Sequence, residues 1–242
     1  MDWDRDYVRE KYGFSMFGFD GIYYPSPNAK RLVVFFSSMG KDRFDRYSWF
    51  WEQDEVWNYT AYLFLKDDSF HYFQGDDTKP LRESIKRIIN HHMLLASVDN
   101  QSVYMVGNSM GGYAAIFFAF YLNAKAAIVS NPQVNFRSSQ MHHFLNWERH
   151  IREVGTQWYD LDLFVRKYIS KPHVYIEFGN YMADKCAGKD LVQALMEEEC
   201  LVVVRRTNWT GHTVDALLKS TIENAIHFFE MEPTLLVLKP KD

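Results

Sequence analysis

The chain alternates short apolar runs, rich in β-branched and aromatic residues, with longer segments whose apolar residues recur every three or four positions. This alternation is typical of a parallel β-sheet whose strands are joined by crossover helices. The runs are continuously apolar, as expected for strands buried on both faces. The sequence therefore predicts an α/β fold, a mostly parallel central sheet flanked by helices, with strands at residues 31–38, 60–65, 101–106, 126–130, 173–178 and 200–204.

Helix boundaries follow from capping residues. Asp77 or Thr78 is predicted to cap a helix that has Pro80 in its first turn. A second helix is predicted over residues 189–199, with Asp190 as its cap. Both helices lie between predicted strands, so they are expected to cover the faces of the sheet.

The rest of the chain fits the same architecture. Residues 14–24 are predicted to form an antiparallel hairpin, residues 113–122 an apolar helix, and a final helix is predicted to begin near Thr213. A polar and aromatic stretch, residues 133–170, interrupts the alternation and is interpreted as a helical cap inserted over one end of the sheet. No linker is evident, so residues 1–242 are predicted to form one domain.

Composition excludes several classes of protein. Aromatic residues make up 17% of the 242 residues, which excludes intrinsic disorder. The net charge of −4 argues against a nucleic-acid partner, because no basic excess exists to neutralise phosphates. Only Cys186 and Cys200 occur, which indicates free thiols. No run is long enough to span a membrane and no secretory signal is visible, so a cytoplasmic location is expected.

The sequence GNSMGG at residues 107–112 carries the strongest chemical signal. It contains a Gly-x-Ser-x-Gly motif directly after a predicted strand and directly before a predicted helix, which is the context of a nucleophile elbow. The glycines permit a tight turn that exposes the serine hydroxyl at the carboxyl end of the strand. Ser109 is therefore the candidate nucleophile.

A serine nucleophile requires a general base, which in this order of elements follows the last strand. Of nine histidines, only His212 lies between the last predicted strand and the last predicted helix. Gly211 is expected to let this loop approach the site. Other histidines fall elsewhere, with His91 and His92 predicted on the polar side of a helix.

The base is oriented by a carboxylate, which should lie in the loop after the strand at 173–178. Asp184 is the first candidate, because it lies on a turn beyond the strand end. Glu177 is the alternative, although it lies within the strand. The choice between the two stays open at this level.

An oxyanion hole is expected from two backbone N–H groups. One belongs to Met110, the residue after the nucleophile. The second comes from the loop SSMG at residues 37–40, where Ser38 is the first choice and Met39 can also donate. No metal-binding motif occurs in the sequence, so metal chemistry is not predicted.

Aromatic residues cluster around these candidates. Trp209 lies near the predicted base, Tyr181 near the predicted acid and Trp158 in the predicted cap. Flat amphipathic rings suit a sugar ring or an apolar acyl chain, so these three residues are predicted, weakly, to bind substrate.

With these residues in place, the chain resembles the α/β-hydrolase superfamily over residues 14–229. The elbow, the Phe-Ser pair at residues 36–37 and the Pro-Gln pair at residues 132–133 are similar to a narrower group, the α/β-hydrolase-fold O-acetyltransferases of bacterial capsular-polysaccharide biosynthesis. That resemblance implies a serine, aspartate and histidine at Ser109, Asp184 and His212.

The predicted function is that of a serine esterase that forms an acyl-enzyme and acts on a small-molecule or glycan ester without a cofactor. The resemblance also permits a polysaccharide O-acetyltransferase with acetyl-CoA as co-substrate. A third possibility is an inactive α/β-hydrolase-fold module of a glycan-assembly complex. The sequence does not define the acyl group, the acceptor or the oligomeric state.

Overall fold

A computed structural model describes residues 4–50, 59–141, 145–213 and 216–231. Within these ranges the chain forms one eight-stranded sheet, with the strand order β1-β2-β4-β3-β5-β6-β7-β8. The strands are β1 (Gly13–Met16), β2 (Phe19–Tyr24), β3 (Arg31–Phe36), β4 (Thr60–Leu65), β5 (Val103–Asn108), β6 (Ala126–Ser130), β7 (His173–Phe178) and β8 (Val202–Arg206).

The sheet is mostly parallel, as predicted. β1 and β2 form the antiparallel hairpin expected over residues 14–24, and β2 joins the sheet antiparallel to β4. From β4 through β8 every neighbouring pair is parallel. The α/β class, the mixed sheet and its parallel majority are therefore confirmed.

Helices cover both faces of the sheet, and the described part of the predicted cap, residues 133–170, contains three short α-helices and two 3₁₀ helices. None of the helices in the described ranges has the length and apolarity that crossing a bilayer would require. The helices are α1 (Arg5–Tyr12), α2 (Arg82–Ala96), α3 (Met110–Tyr121), α4 (Phe136–Gln140), α5 (Leu145–Val154), α6 (Leu161–Phe164), α7 (Met182–Glu197) and α8 (Lys219–Glu230).

The predicted starts of α2 and α8 were wrong. α2 has Leu81 at its cap position, with no side-chain cap. Asp77 instead accepts hydrogen bonds from the backbone N–H and hydroxyl of Thr156, in the short 3₁₀ helix Gly155–Gln157. α8 begins at Lys219 rather than near Thr213.

α7 begins at Met182, seven residues before the predicted start. Asp190 therefore lies within the helix rather than at its cap. Its carboxylate accepts hydrogen bonds from Asn135 and Arg137, which join α7 to α4 and the residue before it.

Alternate side chains of the strands enter two cores, one on each face. One core contains Leu32, Val34 and Phe36 of β3 together with α2, α3 and α7, and the other contains Val33 and Phe35 together with α8. α3 is buried from residue 110 to residue 120, so it is apolar on all sides, as a central helix must be. Such packing fixes its first turn, where Met110 follows Ser109.

Strand register brings the chemistry-bearing loops to one edge. Phe36 is paired with Gly107, Asn108 with Ser130, and Ser130 with Glu177. Because these strands are parallel and adjacent, the loops that follow β3, β5, β6, β7 and β8 all emerge at the carboxyl edge of the sheet.

Candidate active site

Ser109 occupies a strained turn between β5 and α3. Its backbone has φ 55° and ψ −119°, a conformation that a residue with a side chain rarely adopts. The Ser109 N–H donates to the Ser130 carbonyl, and the Ser109 carbonyl accepts from the N–H of Tyr113. These bonds hold the turn, and the hydroxyl is not used to cap α3.

The glycines on either side of Ser109 are required by close backbone contacts. A Cβ on Gly107 would lie 2.0 Å from the Gly111 carbonyl oxygen. A Cβ on Gly111 would lie 2.1 Å from the carbonyl oxygen of Phe36, the last residue of β3. The motif therefore lets the elbow fold back on itself and lets α3 approach the oxyanion loop, which we define as residues 37–46.

The structure brings Ser109, His212 and Asp184 into one hydrogen-bonded row. The Nε2 atom of His212 lies 2.8 Å from the Oγ atom of Ser109. The Nδ1 atom of the same imidazole lies 2.8 Å from Oδ1 of Asp184. With the proton on Nδ1, the imidazole donates to the carboxylate and accepts from the serine hydroxyl. This arrangement can activate a serine for nucleophilic attack.

Asp184 lies in the first turn of α7 rather than on the loop that the sequence predicted. Its side chain is almost fully buried, and the positive end of a helix dipole stabilises a carboxylate at this position. Burial, together with the neighbouring Asp184 charge, raises the pKa of the Tyr181 phenol.

Glu177, the alternative acid, binds elsewhere. Its fully buried carboxylate accepts from the backbone N–H of Leu217 at 2.6 Å and from Arg205 at 3.1 Å. The Tyr175 hydroxyl lies 3.3 Å from the same carboxylate, and burial with this charge raises the pKa of Tyr175 to about 12. Glu177 thus binds the segment that follows His212 and makes no hydrogen bond to His212 itself.

The predicted oxyanion donor Ser38 requires a correction. The Ser38 N–H already donates to Oδ2 of Asp45 at 2.7 Å, so it is not available to a substrate oxygen. Among the described residues, the N–H groups of Met39 and Met110 donate to no acceptor. These two groups are the candidates for an oxyanion hole. Met39 lies in the loop that follows β3, and Met110 is the residue directly after Ser109.

The aromatic residues differ in their relation to His212. Trp147 of α5 lies edge-on to the imidazole, with ring centroids 4.6 Å apart, and the Tyr181 ring lies at 6.4 Å. Trp158 instead stacks on Tyr113 at 4.4 Å, within the packing around α3. Trp209 contributes its backbone carbonyl, which accepts from the N–H groups of residues 180 and 181.

The Pro-Gln pair lies beside the row. The Gln133 N–H points toward the Ser109 carbonyl at 3.4 Å. Its side-chain amide is buried and has no hydrogen-bond partner among the described residues, and it lines a cavity of about 10 Å³ with Trp147 and Asp184. Within the described ranges, no cluster of His, Cys, Asp or Glu side chains is arranged to hold a metal ion.

Sequence reasoning missed two residues of this edge. Asp45 and Arg46 lie in the oxyanion loop, where Asp45 binds the Ser38 N–H and Arg46 binds the carbonyls of Ala216 and Leu217. No local signal marks them, because their partners are a backbone N–H and distant carbonyls.

Solved structures share this architecture. The capsule O-acetyltransferase of Neisseria meningitidis serogroup A is 15% identical, with a TM-score of 0.69 over 90% of this chain and 93% of that one. S-formylglutathione hydrolase (FrmB) from Staphylococcus aureus is 12% identical, with a TM-score of 0.64 over 87% and 92%. One chain of the Glycosylation Associate Protein (Gap123) complex from Streptococcus agalactiae is 15% identical to this chain. Its TM-score is 0.60, over 88% of this chain and 43% of that chain.

The chain has the α/β-hydrolase fold. The profile of an uncharacterised protein family, UPF0227, matches residues 67–170, a segment that contains Ser109 but neither Asp184 nor His212. A sequence comparison with curated proteins finds no match.

Proposed function

We propose that this protein is a serine acyl-ester enzyme that hydrolyses a carboxylic ester, with an O-acetylated sugar as the favoured kind of substrate. The observation that carries the proposal is the row in which Asp184, His212 and Ser109 are joined by two hydrogen bonds of 2.8 Å. The strained elbow adds support, because a serine held in a strained turn between a strand and a helix is a feature of nucleophile elbows.

In the first half of the reaction, the Ser109 Oγ attacks the ester carbonyl carbon while His212 Nε2 takes the hydroxyl proton. Asp184 keeps the imidazole in the correct tautomer and stabilises its charged form. The tetrahedral intermediate collapses as His212 returns the proton to the leaving alcohol oxygen, which leaves an acyl ester on Ser109.

In the second half, His212 takes a proton from a water molecule whose oxygen attacks the acyl carbon. Collapse of this intermediate releases the carboxylic acid, and the proton on His212 returns to the Ser109 Oγ. In both halves the carbonyl oxygen becomes negative, and the N–H groups of Met110 and Met39 are the proposed donors. Each oxyanion donor contributes about 3 kcal/mol to lowering a barrier of this kind.

The decisive experiment is labelling with a fluorophosphonate probe together with hydrolysis of p-nitrophenyl acetate. Ser109→Ala and His212→Ala are expected to abolish labelling and to lower kcat by roughly 10⁵- to 10⁶-fold. Ser220→Ala and His227→Ala are matched controls, because both side chains are exposed on α8. Labelling that persists in Ser109→Ala would overturn the proposal.

A second candidate is transfer of an acetyl group to a sugar hydroxyl. The likeness to a capsule O-acetyltransferase over 90% of this chain favours testing it. The acyl-enzyme would form from acetyl-CoA, with the thiol of CoA as leaving group, and a sugar hydroxyl would replace water in the second half. Purified protein incubated with acetyl-CoA and a glycan acceptor would yield O-acetylated glycan if transfer occurs, and free acetate if hydrolysis does.

The third possibility is an inactive module of a glycan-assembly complex, for which the likeness to the Gap123 complex is the support. The assembled row of Ser109, His212 and Asp184 favours an enzyme. Absence of labelling, hydrolysis and transfer in the folded wild-type protein would favour the inactive module.

A further inference from the structure

We infer that Asp45 and Arg46 are positioning residues that hold the oxyanion loop and the His212 loop, which we define as residues 207–213 and 216–218, in one fixed arrangement around Ser109. We call this adjacent pair the clasp. The inference rests on the proposed function, because it assigns the clasp a role in the chemistry at Ser109.

The first half of the clasp acts on the oxyanion loop. The Asp45 side chain is buried, and its Oδ2 accepts the Ser38 N–H at 2.7 Å while Oδ1 accepts from Arg43 Nε at 2.6 Å. Each peptide unit is planar, so the hydrogen bond to Asp45 fixes the orientation of the unit that contains the Ser38 N–H. This in turn limits the orientations that the following peptide unit can adopt. That next unit carries the N–H of Met39.

The second half of the clasp acts on the His212 loop. The Arg46 side chain is only 6% exposed, and its guanidinium donates to the carbonyl of Leu217 at 3.2 Å and to that of Ala216. A buried guanidinium depends on such partners, because an unpaired buried charge strongly destabilises the folded protein. The Asp45 carboxylate lies 3.8 Å away and supplies compensating charge.

Further contacts bind the His212 loop from other elements. The Glu177 carboxylate accepts the Leu217 N–H at 2.6 Å, so Leu217 is bound through its N–H and its carbonyl by opposite charges. Leu217 itself has a φ of 56° and a buried side chain. At Thr213, the residue directly after His212, the carbonyl accepts a hydrogen bond from the side-chain N–H of Asn131 at 3.1 Å.

The clasp therefore joins two parts of the site that contribute different chemistry. The oxyanion loop offers the Met39 N–H, and the His212 loop offers the general base. A small displacement of either relative to Ser109 slows the chemical step more than it weakens substrate binding. The expected signature of clasp loss is a fall in kcat with little change in KM.

The test compares Arg46→Gln, Arg46→Lys and Arg43→Gln with p-nitrophenyl acetate as substrate. Arg46→Gln is expected to lower kcat by roughly 10- to 100-fold with KM within about threefold of wild type. Arg46→Lys should recover part of kcat, since an ammonium reaches one carbonyl but lacks the planar fork. Arg43→Gln separates the two halves of the clasp: Arg43 binds Asp45 but, in the described ranges, makes no hydrogen bond to the His212 loop, so this variant should lower kcat less than Arg46→Gln does.

Circular dichroism and thermal melting establish which variants fold, and Arg46→Lys replaces Arg46→Gln as the deciding variant if the latter does not. A folded Arg46 variant with wild-type kcat, or one whose loss lies only in KM, would overturn the inference while leaving the proposed function intact. A folded wild-type protein without labelling or hydrolysis would overturn the proposed function, and the inference with it.

Discussion

The indole of Trp147 lies edge-on to the imidazole of His212, with ring centroids 4.6 Å apart and an interplanar angle of 69°. Trp147 belongs to α5, within residues 133–170, and its side chain is buried. This segment therefore contacts the proposed base directly.

Replacing this ring is predicted to affect catalysis. Trp147→Ala should lower kcat by roughly tenfold, because it removes the surface that keeps the imidazole in line with Ser109. Trp147→Phe should stay closer to wild type, since a smaller ring still covers the same face. Steady-state hydrolysis by both variants checks this, and equal kcat values in the two would contradict it.

The two candidate acids are predicted to behave differently on neutralisation. Asp184→Asn should lower kcat by about 10⁴-fold and leave Tm nearly unchanged, because it disturbs the tautomer and charge of His212. Glu177→Gln should lower the free energy of unfolding by about 1–3 kcal/mol, since the buried Leu217 N–H loses a charged acceptor, and should lower kcat far less. Parallel measurement of kcat and Tm separates them. The reverse pattern would make Glu177 the acid.

Gly111 is predicted to be intolerant of a side chain. Gly111→Ala places a Cβ 2.1 Å from the Phe36 carbonyl oxygen, between two backbone segments that cannot easily separate. We expect little or no folded protein, or a loss of at least about 3 kcal/mol in unfolding free energy, the scale of severe overpacking.

Gly211→Ala is the control, because a Cβ there would lie within 4 Å of no atom in the part of the chain that the structure describes. Among the described residues, no close contact requires a glycine at position 211, beside His212, so the prediction that Gly211 lets this loop approach the site has no support from packing. Thermal melting of both variants is the measurement. A Gly111→Ala protein as stable as Gly211→Ala would show that the elbow adjusts.

His92 is predicted to make stability pH-dependent. It is buried against the rings of Phe14 and Tyr23, its Nδ1–H donates to the Ile88 carbonyl at 2.8 Å, and burial lowers its pKa to about 4. Between pH 6.5 and 4 the unfolded chain binds a proton that the folded chain does not. The stability that neutral His92 contributes is thus fully present above pH 6.5. The free energy of unfolding falls by about 3 kcal/mol as the pH drops to 4.

Denaturant unfolding of His92→Phe across this pH range tests the prediction. The variant should lose much of the decline seen in the wild type. His91→Asn is the control, because His91 is exposed on the same helix. An unchanged pH profile in His92→Phe would contradict the assignment.

Much of the sheet could be predicted because its signal is local. The boundaries of β4, β6 and β7 agree with the predicted runs at 60–65, 126–130 and 173–178, since each is a continuous apolar run. The placement of Ser109 and His212 at the carboxyl edge followed from their position after predicted strands. Chain order and strand direction suffice for that level of detail.

What escaped prediction depends on partners distant in sequence. α7 begins at Met182 without a side-chain cap, so no residue marks its start, and Asp184 lies inside it. His92 was predicted on the polar side of its helix, yet the hairpin covers it with Phe14 and Tyr23.

The loop before α8 illustrates the same limit. Its backbone is bound by Arg46, Asn131 and Glu177, which come from three other parts of the chain. These bonds hold the backbone of Thr213, Ala216 and Leu217 outside a helix, and the helical periodicity of the sequence does not reveal them.

The position of His212 after β8 has a consequence for biosynthesis. The eight strands that the structure describes, together with Ser109 and Asp184, precede it in the chain. A ribosome therefore synthesises Ser109 and Asp184 before it adds His212, and a serine without a general base is a poor nucleophile. If Ser109 is the nucleophile, as proposed above, a nascent chain would remain inert toward esters until the segment that carries His212 has left the exit tunnel.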